Sequence, residues 1–147
     1  MRIELTAEAK LEGMIRERVA TLKAQYDCWR DPEQLCKAMG IRVEYGRIGM
    51  GREGAAFADA IQVDPNAGVL ARRRFTFYHE IVHHVVRNHD ELYSIISDQY
   101  QADGAFRAIQ ERLCNVGAAE FLLPRADVQA AYREHGFSVG LISLLSQ

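Results

Sequence analysis

No apolar run in this chain approaches the roughly 18 residues that suggest a membrane-spanning helix. The opening residues, MRIELTAEAK, have no apolar core of the kind a secretory signal carries. These two absences make the cytoplasm the expected compartment. Cysteine is scarce. Cys28, Cys36 and Cys114 are an odd set, and no two have the C-x-x-C spacing of a redox or metal pair. They read as reduced, structural thiols. A basic excess is also missing: net charge is −2 and the pI about 6.2. That excludes the usual dedicated nucleic-acid binder, whose contact face is strongly basic. The one basic run, Arg72-Arg73-Arg74, reads as a solvated segment leading into a helix. There is no internal repeat, low-complexity stretch or long linker.

What is present fits one globular domain over residues 1–147, with an N-terminal helix in 1–31, a core in 32–124 and C-terminal helices in 125–147. Leu11, Met14, Ile15, Val19, Leu22 and Tyr26 recur at helical spacing, which predicts an amphipathic helix over residues 6–26 with Thr6 as its N-cap. Asp31-Pro32 marks a second helix start, and Gly40 its left-handed end. From Ile41 the period falls to two. Ile41, Val43 and Tyr45 alternate with Arg42 and Glu44, as in a half-buried strand. Gly46, Gly49, Gly51 and Gly54 punctuate a loop. Residues 55–63 read as one or two further strands closed by the turn Asp64-Pro65-Asn66.

The remainder reads as helical. Residues 75–87 form one helix, and residues 88–103 are ambiguous between loop and short helix. Residues 106–123 form another, with Asp103 as its cap. Pro124 ends that helix and opens a further one towards Gly136. Residues 139–145 begin a last helix that the chain does not complete. The expected class is α+β, a small antiparallel sheet packed on a helical core.

Within the helix of residues 75–87 stands His79-Glu80-Ile81-Val82-His83, the pattern H-E-x-x-H. Four residues advance a helix by slightly more than one turn, so His79 and His83 project from one face and can converge on a metal. Glu80, beside the first histidine, can reach a water at that metal without being a ligand, which suits a general base. With 5 His in the chain, a chance occurrence has odds on the order of one in a hundred. Phe75, Phe77, Ile81, Val82, Val85 and Val86 make most of the helix circumference apolar. Histidines and a glutamate buried there need partners, and a metal supplies them.

A hydrolytic site needs a third protein ligand. The downstream candidates are His84, His89, Asp90, Glu91, Asp98, Asp103, Glu111 and Glu120. His84 points about 100° away from His83. His89, Asp90 and Glu91 fall in an expected turn. Glu111 lies in line with Asn115, Ala118, Ala119 and Leu122, an inward-facing stripe in which Asn115 can orient a ligand. Pattern alone also admits Glu111 as a surface residue.

Two segments together resemble the ImmA/IrrE family of metallopeptidases. The family couples R-F-T-x-x-H-E-x-x-H to a later E-x-x-A-N-x-F-A-x-x-L-L-x-P. Here the first is Arg74-Phe75-Thr76-Phe77-Tyr78-His79-Glu80-Ile81-Val82-His83. The second runs from Glu111 through Asn115 and Ala118 to Pro124. Cys114 stands where alanine is usual and Gly117 where an aromatic is usual. The resemblance covers roughly residues 32 to 124 and implies Glu111 as the third metal ligand. It implies a zinc endopeptidase, with manganese or iron as possible substitutes. It implies a protein substrate, a helix-turn-helix repressor, cut in a stress or mobile-element response; charge and the lack of long apolar runs predict no direct contact to nucleic acid or membrane. Family members often continue further, so a chain ending at Gln147 is expected to be either shortened or a minimal member. For the developing oxyanion, Tyr78, Tyr93, His89 and Tyr100 are available types. A non-catalytic module that grips a repressor and holds zinc structurally is the competing expectation.

Overall fold

The computed structural model describes residues 6–49, 52–100 and 103–135. The first helix, α1 (Ala7–Gln25), begins where Thr6 Oγ1 accepts a hydrogen bond from the Ala9 amide, and it buries Leu11, Ile15, Val19 and Leu22. Helix α2 (Pro32–Met39) is capped by Asp31, whose Oδ1 accepts from the amides of Glu33 and Gln34. It ends at Gly40, whose φ of 75° lies in the left-handed region that a glycine adopts without cost. Both helices and both caps match the sequence reading.

Three short strands follow: β1 (Arg42–Tyr45), β2 (Gly54–Ala56) and β3 (Ala60–Val63). Their order is β1-β3-β2. The β2–β3 ladder is antiparallel as expected, joined by a tight hairpin. The β1–β3 ladder is parallel, which corrects the expectation of a wholly antiparallel sheet. Residues 46–53 are long enough to carry the chain past one strand position, about 10 Å across. Strand β3 then returns into the gap and runs alongside β1. The alternation in β1 is also weaker than expected. Ile41 is buried and Val43 half-buried, but Tyr45 is exposed and donates its hydroxyl to Glu33.

Helix α3 (Leu70–Asn88) starts earlier than the sequence suggested, so Arg72, Arg73 and Arg74 lie inside its first turns. They tie the helix down. Arg72 and Thr76, one turn apart, both reach Glu53 in the loop before β2. Arg74 and Tyr78, one turn apart on another face, reach the carbonyls of Arg30 and Trp29 in the loop between α1 and α2. The ambiguous stretch forms α4 (Asp90–Gln99), for which His89 is the N-cap through Nδ1. Helices α5 (Asp103–Leu122) and α6 (Arg125–His135) flank Pro124. The helix expected over residues 139–145 lies outside the described residues. No helix among the described residues is long and apolar enough to cross a membrane.

Helix α3 occupies the centre. It packs on the sheet and α2 on one side and on α4 and α5 on others, while α1 closes over α5. The core joins Ile15 and Val19 of α1, Ile61 and Val63 of β3, Tyr78, Ile81 and Val82 of α3, and Leu113, Cys114 and Phe121 of α5. Tyr78 stacks on Phe121 with ring centroids 4.7 Å apart. Cys36 and Cys114 are buried free thiols, and burial pushes the Cys36 thiol up to about 12, so it behaves as an apolar side chain. All three cysteines are unbridged.

Gly117 sits where α1, α3 and α5 meet. A Cβ there would lie 2.7 and 2.8 Å from the two methyls of Val82 and 3.1 Å from Ile15 Cγ2. An aromatic at this position is incompatible with the packing of this chain. Gly117→Ala should destabilise the fold by about 1–3 kcal/mol through overpacking, partly offset by a helix-propensity gain of up to about 1 kcal/mol. Urea unfolding measures the difference. An unchanged or more stable variant would show that the three helices do not meet as closely as described.

Candidate metal centre

The helical pair behaves as its spacing demands. His79 and His83 present their Nε2 atoms from one face of α3, 3.2 Å apart. Glu111 comes from the third turn of α5, across the seam where α3 and α5 pack. Its carboxylate straddles the pair, with Oε2 3.1 Å from His79 Nε2 and Oε1 2.8 Å from His83 Nε2. These three side chains are the metal-ligand-type cluster among the described residues. Of the other downstream candidates, His84 contacts Asn88, His89 caps α4, Asp90 and Glu91 lie in the first turn of α4, and Asp98 and Glu120 stand on α4 and α5 outside the cluster.

The donor set fits a divalent cation. Tetrahedral coordination at about 2.0–2.1 Å separates ligand atoms by about 3.3 Å. The observed separations, 2.8 to 3.2 Å, fall within about half an ångström of that. Two imidazole nitrogens facing each other and a carboxylate offer three lone pairs to one point, which a cation satisfies together. Burial holds the His83 pKa below its usual value, favouring the neutral ring that can ligate. The histidine side chains are 13% and 16% exposed, whereas Glu111 is 52% exposed. The cluster is therefore open on one side, towards a cleft of about 800 Å³.

That exposure corrects the reading of an inward stripe on α5. The buried face carries Ile109, Leu113, Cys114, Ala118 and Phe121, while Glu111, Asn115 and Ala119 are exposed. Glu111 lies at the edge of the packed face, where a carboxylate can meet the histidines without being enclosed. Asn115 lines the cleft but makes no hydrogen bond to Glu111 or to either histidine among the described contacts.

Glu80 is 6% exposed, the buried charged residue of the core, and it lines the same cleft. Burial, reinforced by the Glu111 charge and opposed by Arg52, raises its pKa to about 7. A cation at the neighbouring cluster pulls in the opposite direction. What holds Glu80 in place was missed in the sequence. Gly54, read there as loop punctuation, is the first residue of β2. A Cβ on it would lie 2.8 Å from Glu80 Cγ, 2.9 Å from Glu80 Oε1 and 2.8 Å from Thr76 Cγ2. The missing side chain is what lets the sheet edge lie directly on Glu80. Glu53 clamps that approach, accepting from Arg72 Nη2 and Nε at 2.6 and 2.9 Å and from the Thr76 hydroxyl at 3.3 Å. The signal was available: an acid next to a glycine, upstream of an arginine and a threonine four residues apart.

The four residues suggested for an oxyanion stand elsewhere. Tyr78 is fully buried and donates to the Trp29 carbonyl at 2.7 Å. His89 caps α4, while Tyr93 and Tyr100 border a separate cleft. Among the described residues, the polar donors that line the main cleft besides the two histidines are Arg52, Arg72, Thr76, Arg87, Arg107, Gln110 and Asn115.

Purified protein should carry about one divalent cation per chain, and its loss to a chelator should lower thermal stability. His79→Ala and Glu111→Ala should each abolish binding while remaining folded. Elemental analysis with circular dichroism reads both, and full metal content in either variant would remove that residue from the site. Gly54→Ala should keep the metal yet displace Glu80, lowering any hydrolytic activity by about 100-fold. A fully active Gly54→Ala protein would show that the close approach is dispensable.

Comparison with known proteins identifies the family. The family model for the IrrE N-terminal-like domain, a peptidase family, matches residues 36–140. The chain is similar to the radiation response metalloprotease IrrE of Deinococcus deserti, 36% identical over 121 residues, covering 81% of this chain and 42% of that protein. It is also similar to the protein of the same name from Deinococcus radiodurans, 32% identical over 127 residues, covering 80% of this chain and 34% of the relative. The chain thus spans less than half the length of these relatives. With most of its length matched, including both helices of the metal centre, this chain belongs to the ImmA/IrrE family of metallopeptidases.

Proposed function

We propose that the chain is a zinc-dependent endopeptidase acting in the cytoplasm, with His79, His83 and Glu111 as ligands and Glu80 as general base. The observation that carries this reading is the position of Glu80. It is buried on the wall of an open cleft, next in sequence to one histidine of the cluster, and is not itself part of the cluster. A structural metal site has no use for such a carboxylate, and it is normally closed by four protein ligands. The half-exposed Glu111 and the open side of the cluster therefore favour catalysis over the competing reading of a binding module with structural zinc.

The cleft suits an extended peptide. Strand β2 is a sheet edge, and Gly54, Ala55, Ala56 and Phe57 line the cleft beside the metal cluster. A substrate strand can add to that edge through backbone hydrogen bonds, which places a scissile carbonyl over the cluster. A divalent cation held there supplies a Lewis acid that polarises the carbonyl and makes water more acidic. Glu80 takes the proton of the attacking water on one of its carboxylate oxygens and passes it to the leaving amine. Gly54 and the Glu53 clamp hold Glu80 and the strand edge at fixed spacing.

The substrate in this reading comes from the family resemblance, which implies a helix-turn-helix repressor, and the setting from the two relatives, which are named for a radiation response. We therefore propose a regulatory cut in a repressor during a stress response. Glu80→Gln should retain metal and fold yet lose about 100- to 10,000-fold in cleavage rate. Incubation with a candidate repressor, read by intact-mass spectrometry, tests it. An active Glu80→Gln protein would sink the assigned role, and co-elution with no cleavage by the wild type would favour the binding-module reading.

A further inference from the structure

The cleft concentrates positive charge on a chain that is acidic overall. Arg52 stands just before β2, Arg87 in the last turn of α3 and Arg107 in the first turns of α5. All three are exposed, and all line the cleft. None has an ion pair among the described residues. Arg72, the fourth arginine of the wall, differs because Glu53 holds it. The acidic groups of the cleft are Glu53, Glu80 and Glu111. The first is taken by Arg72 and the third by the two histidines. A bound divalent cation would add further positive charge. The chain as a whole carries −2, so this is a local concentration and no by-product of a basic surface.

We infer, building on the peptidase reading, that the cleft selects peptide segments with acidic side chains flanking the bond to be cut, and that Arg52, Arg87 and Arg107 read those side chains. The guanidinium fork matches a carboxylate in two hydrogen bonds, so these residues confer selectivity as well as attraction. Arg107 has a second role in the layout. It also borders a neighbouring cleft of about 700 Å³ walled by Tyr93, Tyr100 and Phe106. An acidic side chain held by Arg107 therefore sits where the two grooves join. A single-stranded nucleic acid is a poorer match for the same charge. Such strands bind on successive aromatic platforms, and this cleft offers Phe57 and Phe75, whereas the β2 edge offers backbone groups suited to a peptide.

The test uses zinc-loaded Glu80→Gln protein and three pools of fluorescent short peptides. The pools share an apolar centre and differ in flanks of Asp/Glu, Ser/Gly or Lys/Arg. Fluorescence anisotropy should show the acidic pool binding about tenfold tighter than the neutral one and the basic pool weakest, with the preference shrinking as salt rises. Arg87→Ser and Arg107→Ser should each cut that preference several-fold, while Arg107→Lys keeps most of the attraction. Equal binding of the pools, or a preference untouched by the Arg87→Ser/Arg107→Ser pair, overturns the inference. So does an oligothymidylate of similar charge that binds more tightly than the acidic pool. Wild-type protein incubated with the same pools, read by mass spectrometry, separates this inference from the peptidase reading. Acid-selective binding without cleavage supports the selectivity, and if the wild type also leaves the candidate repressor uncut it sinks the peptidase. Cleavage indifferent to flanking charge sinks the selectivity alone.

Discussion

The seam between α3 and α5 is the contact on which the rest of this molecule depends. One helix brings two imidazoles a single turn apart, and the other brings a carboxylate that spans both. Neither helix makes a site alone. Their approach is set by small and shape-matched groups, with Gly117 of α5 against Val82 of α3 and Ile15 of α1, and Ala118 buried beside it. Any change in the depth of that packing moves Glu111 relative to the histidines. An apolar fit a few residues away therefore controls the polar geometry.

A second contact, between the sheet and α3, turns a metal cluster into a site with a working face. The sheet is only three strands wide, and its edge strand lies on Glu80 because Gly54 has no side chain. The Glu53 clamp to Arg72 and Thr76 fixes the approach, and the Arg74 and Tyr78 bonds fix the other side of α3. Four residues at the start of α3 thus anchor the helix to two loops before it reaches its histidines. Burying Glu80 is costly by itself, as its raised pKa records. A cation bound at the neighbouring cluster would offset that cost and link metal binding to the placement of Glu80.

The metal-ligand pattern was the most legible part of the sequence. H-E-x-x-H carries its own geometry, since i and i+4 share a face whatever the rest of the chain does. The amphipathic and capped elements, α1 and α2, were also readable because caps and periodicity act locally. Glu111 was found for a partly mistaken reason. Its helix does turn a face inward, but that face is Leu113, Cys114, Ala118 and Phe121, with Glu111 on the rim. The parallel β1–β3 pairing was not readable, because strand order is decided by which gap the returning chain fills. The role of Gly54 was hidden for the same reason: a glycine needed for close approach looks like a loop glycine until the approaching partner is known. The arginines of the first turns of α3 were misplaced by a helix that starts at Leu70, with no side-chain cap to announce it.

One measurement tests the central claim most directly: anomalous scattering at the zinc edge from crystals of the zinc-loaded protein. The account predicts one strong peak per chain within about 2.0–2.1 Å of His79 Nε2, His83 Nε2 and a Glu111 oxygen, with its remaining position open to the cleft. A peak elsewhere, or one closed off by a fourth protein ligand, would contradict it.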